Sequence, residues 1–325
     1  MRVLIVRLSS LGDIVHAAAV LPDIAHAHPA ARIDWVVEEA FVPLARCMQG
    51  IERIVPIALR RWRGDVLGSR DEIGAFWREL RRESYDAVID LQGLAKSAAV
   101  ARAARIEPGG FRYGLANRTD GSAYEPVARW AYGQAVRMPA RIHVVDRSRQ
   151  LVASALGHAV EAPPRVPWRA GEVAADDALW ADPRAVLLVH GSAKPVKLIG
   201  ARFWVELGQT LARRGAKVWL PWGNEVERDR ADAIAAGIGE HAAVLPRLAL
   251  DRLAAVLTRL HGAIGLDTGL THMAATLGRP TVQLFVEDKA WRAAAYWEPK
   301  TAVLQQSEAA PPTVAQAIEA WERVA

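Results

Sequence analysis

Short runs of consecutive apolar residues alternate along this chain with longer stretches in which apolar positions recur every three or four residues. In the first half, residues 2–8, 33–37, 53–58 and 86–90 are mainly apolar runs of strand length. Runs of this kind read as strands covered on both faces, the mark of a parallel sheet. Residues 13–28, 71–83, 94–104 and 144–156 carry the helical period, and the first of these stops before Pro29. Residues 108–141, with scattered Gly, Pro and aromatics, read as irregular. A stretch with three prolines, 161–169, reads as a linker, and then the pattern restarts. Strands are predicted at 185–189, 217–220, 262–266 and 281–285, with helices at 201–214, 225–236, 251–260, 270–277 and 312–324. The alternation predicts an α/β chain of two doubly wound, Rossmann-like domains, 1–160 and 161–311, facing a central cleft. Residues 312–325 are expected to form a closing helix that packs back on the N-terminal domain. In such folds ligands bind beyond the carboxyl ends of the strands.

Composition changes this picture in three ways. First, 325 residues with 51% hydrophobic content are enough for two packed cores. Second, the lone cysteine, Cys47, excludes an internal disulfide and a multi-cysteine zinc site. No apolar run approaches the roughly 20 residues of a membrane span. Arg7 interrupts the first apolar run, so the N-terminus does not read as a signal peptide. The expected location is cytoplasmic, peripheral on the cytoplasmic face of a bacterial inner membrane. Third, the net charge of +5 is lopsided. Residues 1–160 hold 22 Lys/Arg against 17 Asp/Glu, whereas residues 161–325 hold 19 of each. The basic excess therefore points to an anionic partner of the first half: nucleic acid, a membrane surface or an acidic substrate. The arginines are spread over several loops without a nucleic-acid-binding module, which argues against the first of these.

Candidate chemistry sits at predicted strand ends. In Ser9-Ser10-Leu11-Gly12-Asp13, Gly12 permits a tight turn and Asp13 stands where a helix N-cap belongs. The same carboxylate, at a strand's carboxyl end, is placed to accept a proton. The single glycine does not make a dinucleotide fingerprint. Arg60-Arg61-Trp62-Arg63 is a basic turn suited to phosphate or carboxylate, with an indole whose exposure would need a reason. Gln92 and Lys96 open another helix after a strand. In the second half, His190 to Lys197 offers Gly191, Ser192 and two lysines as a diphosphate cradle without Walker A spacing. Asp267-Thr268-Gly269-Leu270-Thr271-His272 starts a helix whose free backbone N–H groups favour phosphate. The simpler alternative there is an N-cap with His272 packed beneath it. Asp267 lacks companions at metal-ligand spacing, so no metal site is expected. Without a G-x-S-x-G elbow, Ser192, His190 and Asp267 do not read as a hydrolase triad.

Taken together, SSLGD, WVVEEAF at 35–41, IALRRWR at 57–63, YDAVIDLQGLAKSA at 85–98, LPWGNEVERDRA at 220–231 and DTGLTHMAATLGRPTV at 267–282 resemble the heptosyltransferases of glycosyltransferase family 9. The similarity runs in order over nearly the whole chain. Its N-terminal segments favour the type that adds the first heptose of the lipopolysaccharide inner core. The resemblance implies a GT-B fold, ADP-L-glycero-β-D-manno-heptose as donor and Kdo-lipid A as acceptor. It also implies inversion at the anomeric carbon, with no metal or other cofactor. By the same resemblance Asp13 is the general base. Ser192, Lys197, Glu227, Asp267, Thr268, Gly269 and His272 hold the donor. Ser10, Gly12, Arg60, Arg61, Arg63, Gln92 and Lys96 serve the acceptor. The chain departs from the family pattern at Gly64, at Ala193, at Leu198-Ile199-Gly200 and at Val286-Glu287-Asp288-Lys289-Ala290-Trp291, whose acids add repulsion near a diphosphate. Two alternatives stay open: a family member with another acceptor, and a non-catalytic ADP-sugar or anionic-lipid binding protein.

Overall fold

The computed structural model describes residues 1–169, 171–306 and 310–325. The chain divides into two units, Met1–Arg169 and Ala170–Ala325. The first is built on β1 (Arg2–Val6), β2 (Arg32–Glu38), β3 (Arg53–Ile57), β4 (Ser84–Asp90), β5 (Arg105–Leu115) and β6 (Gln134–Val136). These form one sheet in the order β3-β2-β1-β4-β5-β6, every pair parallel. The second is built on β7 (Ala185–Val189), β8 (Lys217–Leu220), β9 (Ala242–Val244), β10 (Gly262–Leu266), β11 (Thr281–Phe285) and β12 (Thr301–Gln305). Its order is β12-β11-β10-β7-β8-β9, again all parallel. The predicted pair of doubly wound α/β domains is what the chain adopts.

The core explains why the apolar runs were readable. Val6, Val36, Val55 and Val88 pack with Phe76 and Leu80 in the first unit. Val186, Leu188, Ile264 and Val282 pack with Trp204, Leu207 and Leu211 in the second. Central parallel strands are buried on both faces and so lose their polar alternation.

Several expectations change. The helix predicted over 13–28 is two helices, Leu11–Ala17 and Val20–Ala27. Pro22 has no N–H to extend the first helix, but it fits the first turn of the second, where that donor is not needed. Residues 108–141 are not wholly irregular: they hold the end of β5, the 3-10 segment Pro126–Ala131, and β6.

The proline-rich stretch is no free linker. Its backbone pairs with the first unit through Gln49 N to Pro167 O at 2.8 Å and Arg169 N to Cys47 O at 2.6 Å. An antiparallel bridge joins Met48 to Trp168. The division therefore falls at 169/170, later than the predicted 160/161.

The closing helix, Val314–Glu322, is capped by Thr313 and Gln316. It buries Ala317, Ile318, Ala320 and Trp321 in the second unit's core beside Leu211 and Leu284. That apolar face meets the sheet of its own unit.

Candidate active site

In the first unit, the centre is the junction of β1 and β4. Their ends lie side by side, with Val6 opposite Asp90 in the register. Ser10 has extended backbone and is the N-cap of helix Leu11–Ala17. Asp13 is the third residue of that helix, so it completes a capping box; it is not the N-cap. Asp13 Oδ2 accepts from Ser10 N at 3.0 Å and from Ser10 Oγ at 2.9 Å. Gly12 lies inside the first helical turn with ordinary helical backbone, so the expected tight turn is absent.

Arg7 holds the other oxygen: its Nη2 is 2.7 Å from Asp13 Oδ1. Arg7 is 6% exposed, and its Nη1 donates to Leu91 O at 2.7 Å. The guanidinium thus spans from β4's end to Asp13, favouring the ionised carboxylate and fixing its direction. Sequence reading noted Arg7 only as an interruption in an apolar run. The missed signal was a charge at a strand position destined for burial, which demands a partner.

The neighbouring groups are drawn to the same place. Gln92 is buried, and its Oε1 accepts from Leu8 N at 2.9 Å, tying β4's end to β1's. The loop that carries it hangs on Asp90, which accepts from Gln92 N, Gly93 N, Ser97 Oγ and Tyr132 Oη. Burial and the charge of Arg63 push the Lys96 ammonium below its usual value, with Arg60 and Arg7 adding to the effect and Glu38 opposing it. Arg63, Arg60 and Arg7 therefore act together on Lys96, and Arg7 in turn holds Asp13.

Arg61 is different. Its guanidinium is bidentate on Glu39 at 3.1 and 3.0 Å and also bonds Glu72 at 2.7 Å, so its charge is matched internally. Arg60 lies 5.6 Å from the Phe41 ring centre. Trp62 is only 7% exposed; it donates to Glu72 at 3.1 Å and meets Phe76 edge-on. The indole is a core anchor for the basic turn, and the expectation of an exposed tryptophan is corrected.

In the second unit, the centre is the junction of β7, β10 and β11. Thr268 has extended backbone and is the N-cap of helix Gly269–Thr276, whose first N–H groups face outward from the helix start. The helix sits tightly on its strand: a Cβ on Gly265 would lie 2.3 Å from Thr271 Oγ1 and 2.6 Å from Val189 Cβ. Asp267 does not cap the helix. Its carboxylate receives the Lys197 ammonium on Oδ2 and the His272 ring on Oδ1, the latter at 2.9 Å. Lys197 Nζ also donates to Asp267 O at 2.8 Å. Burial disfavours the Asp267 charge, but the His272 hydrogen bond and the Lys197 charge prevail and hold its carboxyl well below the usual range. His272 is buried, as the simpler reading had it, yet it is part of this constellation.

Ser192 Oγ accepts from Lys194 N at 3.2 Å within the loop after β7. Glu227, near the start of helix Glu225–Ile238, accepts from Gly223 N at 2.8 Å and lies against Gly191. Of the two acids that raised the question of repulsion, one is matched in charge and the other is hydrogen-bonded. Glu287 pairs with Lys289, and Asp288 accepts from Gln305 at 2.9 Å. His190 is fully buried and Asp267 pairs elsewhere, so no hydrolase triad forms.

Two all-parallel doubly wound units, each with polar groups at the carboxyl ends of its strands, are the architecture of the GT-B fold. The chain belongs to glycosyltransferase family 9, the heptosyltransferases, whose family model matches residues 73–321. It is 40% identical to lipopolysaccharide heptosyltransferase 1 of Pseudomonas aeruginosa over 291 residues, 88% of this chain and 78% of that one. It is 36% identical to the heptosyltransferase 1 of Escherichia coli strain K12 over 299 residues, 88% of each. Among solved structures, E. coli heptosyltransferase WaaC with ADP matches with a TM-score of 0.83 and 31% identity over the full length of both chains. The same enzyme with ADP-2-deoxy-2-fluoro heptose matches at 0.81 and 30%, again over the full length of both. Within the family, the kinship is with heptosyltransferase I.

Proposed function

We infer that this chain, a member of the heptosyltransferase family, is a heptosyltransferase of lipopolysaccharide core synthesis. We propose that it transfers L-glycero-D-manno-heptose from ADP-heptose to a Kdo hydroxyl of Kdo-lipid A, with inversion and with Asp13 as general base. The observation that carries this is the setting of Asp13. Both of its oxygens are oriented, by Ser10 and by Arg7, while the side chain remains 28% exposed. A single-displacement transfer needs one ionised base in line with the acceptor hydroxyl, and an oriented, partly open carboxylate meets that need. Arg60, Arg63 and Lys96 of the same unit suit an acceptor bearing carboxylates and phosphates.

On the donor side, negative charge grows on the departing ADP. The Lys197 ammonium and the free N–H groups at the Thr268–Gly269 helix start are aimed to stabilise it. Glu227, beside Gly191, is assigned to the adenosine. The ADP-bound and ADP-sugar-bound WaaC structures support this donor.

We also assign the first unit's strand-end loops to peripheral contact with the inner membrane. No helix among the described residues is long and apolar enough to cross one. However, Leu67 is 84% and Trp130 89% exposed, each within a few residues of an arginine along the chain. The decisive assay is mass-spectrometric detection of heptosylated Kdo-lipid A from ADP-heptose. Transfer to a panel of other acceptors, with Kdo-lipid A inert, would replace the acceptor. Nucleotide binding without product on any acceptor would make the chain a binding protein.

A further inference from the structure

Gln283 stands in the middle of β11, fully buried in an otherwise apolar Thr-Val-Gln-Leu-Phe strand. A buried amide needs partners for its carbonyl and its NH2 group. Both are present. Ala295 N donates to Gln283 Oε1 at 2.9 Å, which fixes the amide orientation, since a backbone N–H requires the oxygen. Gln283 Nε2 then faces His272 Nδ1 at 3.0 Å. An amide nitrogen only donates, so Nδ1 is an acceptor and the ring proton sits on Nε2. That proton points at Asp267 Oδ1, 2.9 Å away. The other Asp267 oxygen receives Lys197.

We propose that Gln283 is a positioning residue of the donor site. It fixes His272 in the Nε2–H tautomer, and thereby sets the direction of Asp267 and of the Lys197 ammonium that meets the diphosphate. The relay runs Ala295, Gln283, His272, Asp267, Lys197, and each link has one donor and one acceptor. With the other tautomer, a ring lone pair would face the Asp267 carboxylate, and Gln283 would oppose one N–H with another. The amide cannot turn to relieve this without opposing its other end to Ala295 N–H. The relay is therefore directional: Asp267 and Gln283 demand the same tautomer from opposite sides of the ring, and a shape-matched apolar residue at 283 would leave Nδ1 without its donor and the ring held from one side only.

The role in donor binding rests on the donor site proposed above; the tautomer does not. Two readouts separate them. In 15N-labelled protein, long-range 1H–15N correlations of the imidazoles, assigned by the signal lost in His272→Gln, should show His272 with Nε2 protonated and Nδ1 bare. Gln283→Leu should keep the Nε2 proton, which Asp267 still accepts, but shift the Nδ1 signal as it loses its donor, and Gln283→Glu, of nearly the same shape, should place a proton on Nδ1. ADP binding by calorimetry should weaken about tenfold in Gln283→Leu, the size of one lost hydrogen bond in a buried network. A protonated Nδ1 in the wild type overturns the proposal. Unchanged ADP affinity in both variants, despite the altered Nδ1 signals, overturns it as well. If the wild type fails to bind ADP, the donor-site assignment falls, while the imidazole spectrum still decides the relay.

Discussion

At the residue scale, the two sites depend on charged or polar groups whose partners are close at hand. Asp13 lies between Ser10 and Arg7, and Asp267 lies between Lys197 and His272. His190, at the end of β7, shows the cost of a titratable group with less support. Burial, with the nearby Arg230 charge, pushes its pKa down from 6.5 to about 4. The folded value lies below the unfolded one, so the unfolded chain binds the proton more readily. Stability from this group is complete above about pH 6.5 and is lost as pH falls toward 4, to a limit of about 3 kcal/mol. Urea midpoints measured across this range should decline in the wild type and decline less in His190→Gln; equal slopes would contradict the assignment. Little of this scale was legible beforehand. Asp13, Lys197 and Asp267 stand out because they follow strand ends. Arg7 and Gln283 do not, because they sit within apolar runs and their roles appear only when a neighbouring strand or helix supplies the partner.

At the element scale, the working parts are strand-to-helix junctions. The central strands were readable because burial on both faces makes them mainly apolar. Most of β5, β6, β9 and β12 escaped notice because they lie toward the sheet edges, are short or partly exposed, and carry no such run. The Trp62 turn misled for a related reason: four residues of sequence do not reveal that the indole folds under the arginines onto Phe76. The loop after β7 gives a direct test of junction geometry. A Cβ at position 191 would come within 2.9 Å of Glu227 Cδ. The carboxyl end is flexible, so Gly191→Ala should fold normally but displace Glu227. The expected result is a KM for ADP-heptose raised about fivefold, the scale of one impaired hydrogen bond, at nearly unchanged kcat and thermal midpoint. A drop in kcat alone would place Glu227 elsewhere in the reaction.

For the whole molecule, the charge asymmetry now has a location. The basic half contains the Asp13 site with Arg60, Arg63 and Lys96, and the neutral half contains the Lys197–Asp267–His272 site. Arg61 contributes less than its position suggested, since Glu39 and Glu72 match its charge. The exposed Leu67 and Trp130, each in the basic half, suit contact with an anionic lipid layer. Flotation with vesicles containing anionic phospholipid should show binding that weakens with salt, and Trp130→Ser should reduce it about tenfold. Binding that is insensitive to both would dismiss this surface.

The central claim, transfer of heptose with Asp13 as base, is tested most directly by rate measurements on one variant. With ADP-heptose and Kdo-lipid A, the wild type should yield singly heptosylated Kdo-lipid A by mass spectrometry. Asp13→Ala should lower the rate by about 100- to 10,000-fold while keeping ADP affinity, with a lower thermal midpoint as the capping box and the partner of buried Arg7 are lost. Asp13→Ala protein that transfers heptose at the wild-type rate would contradict the account.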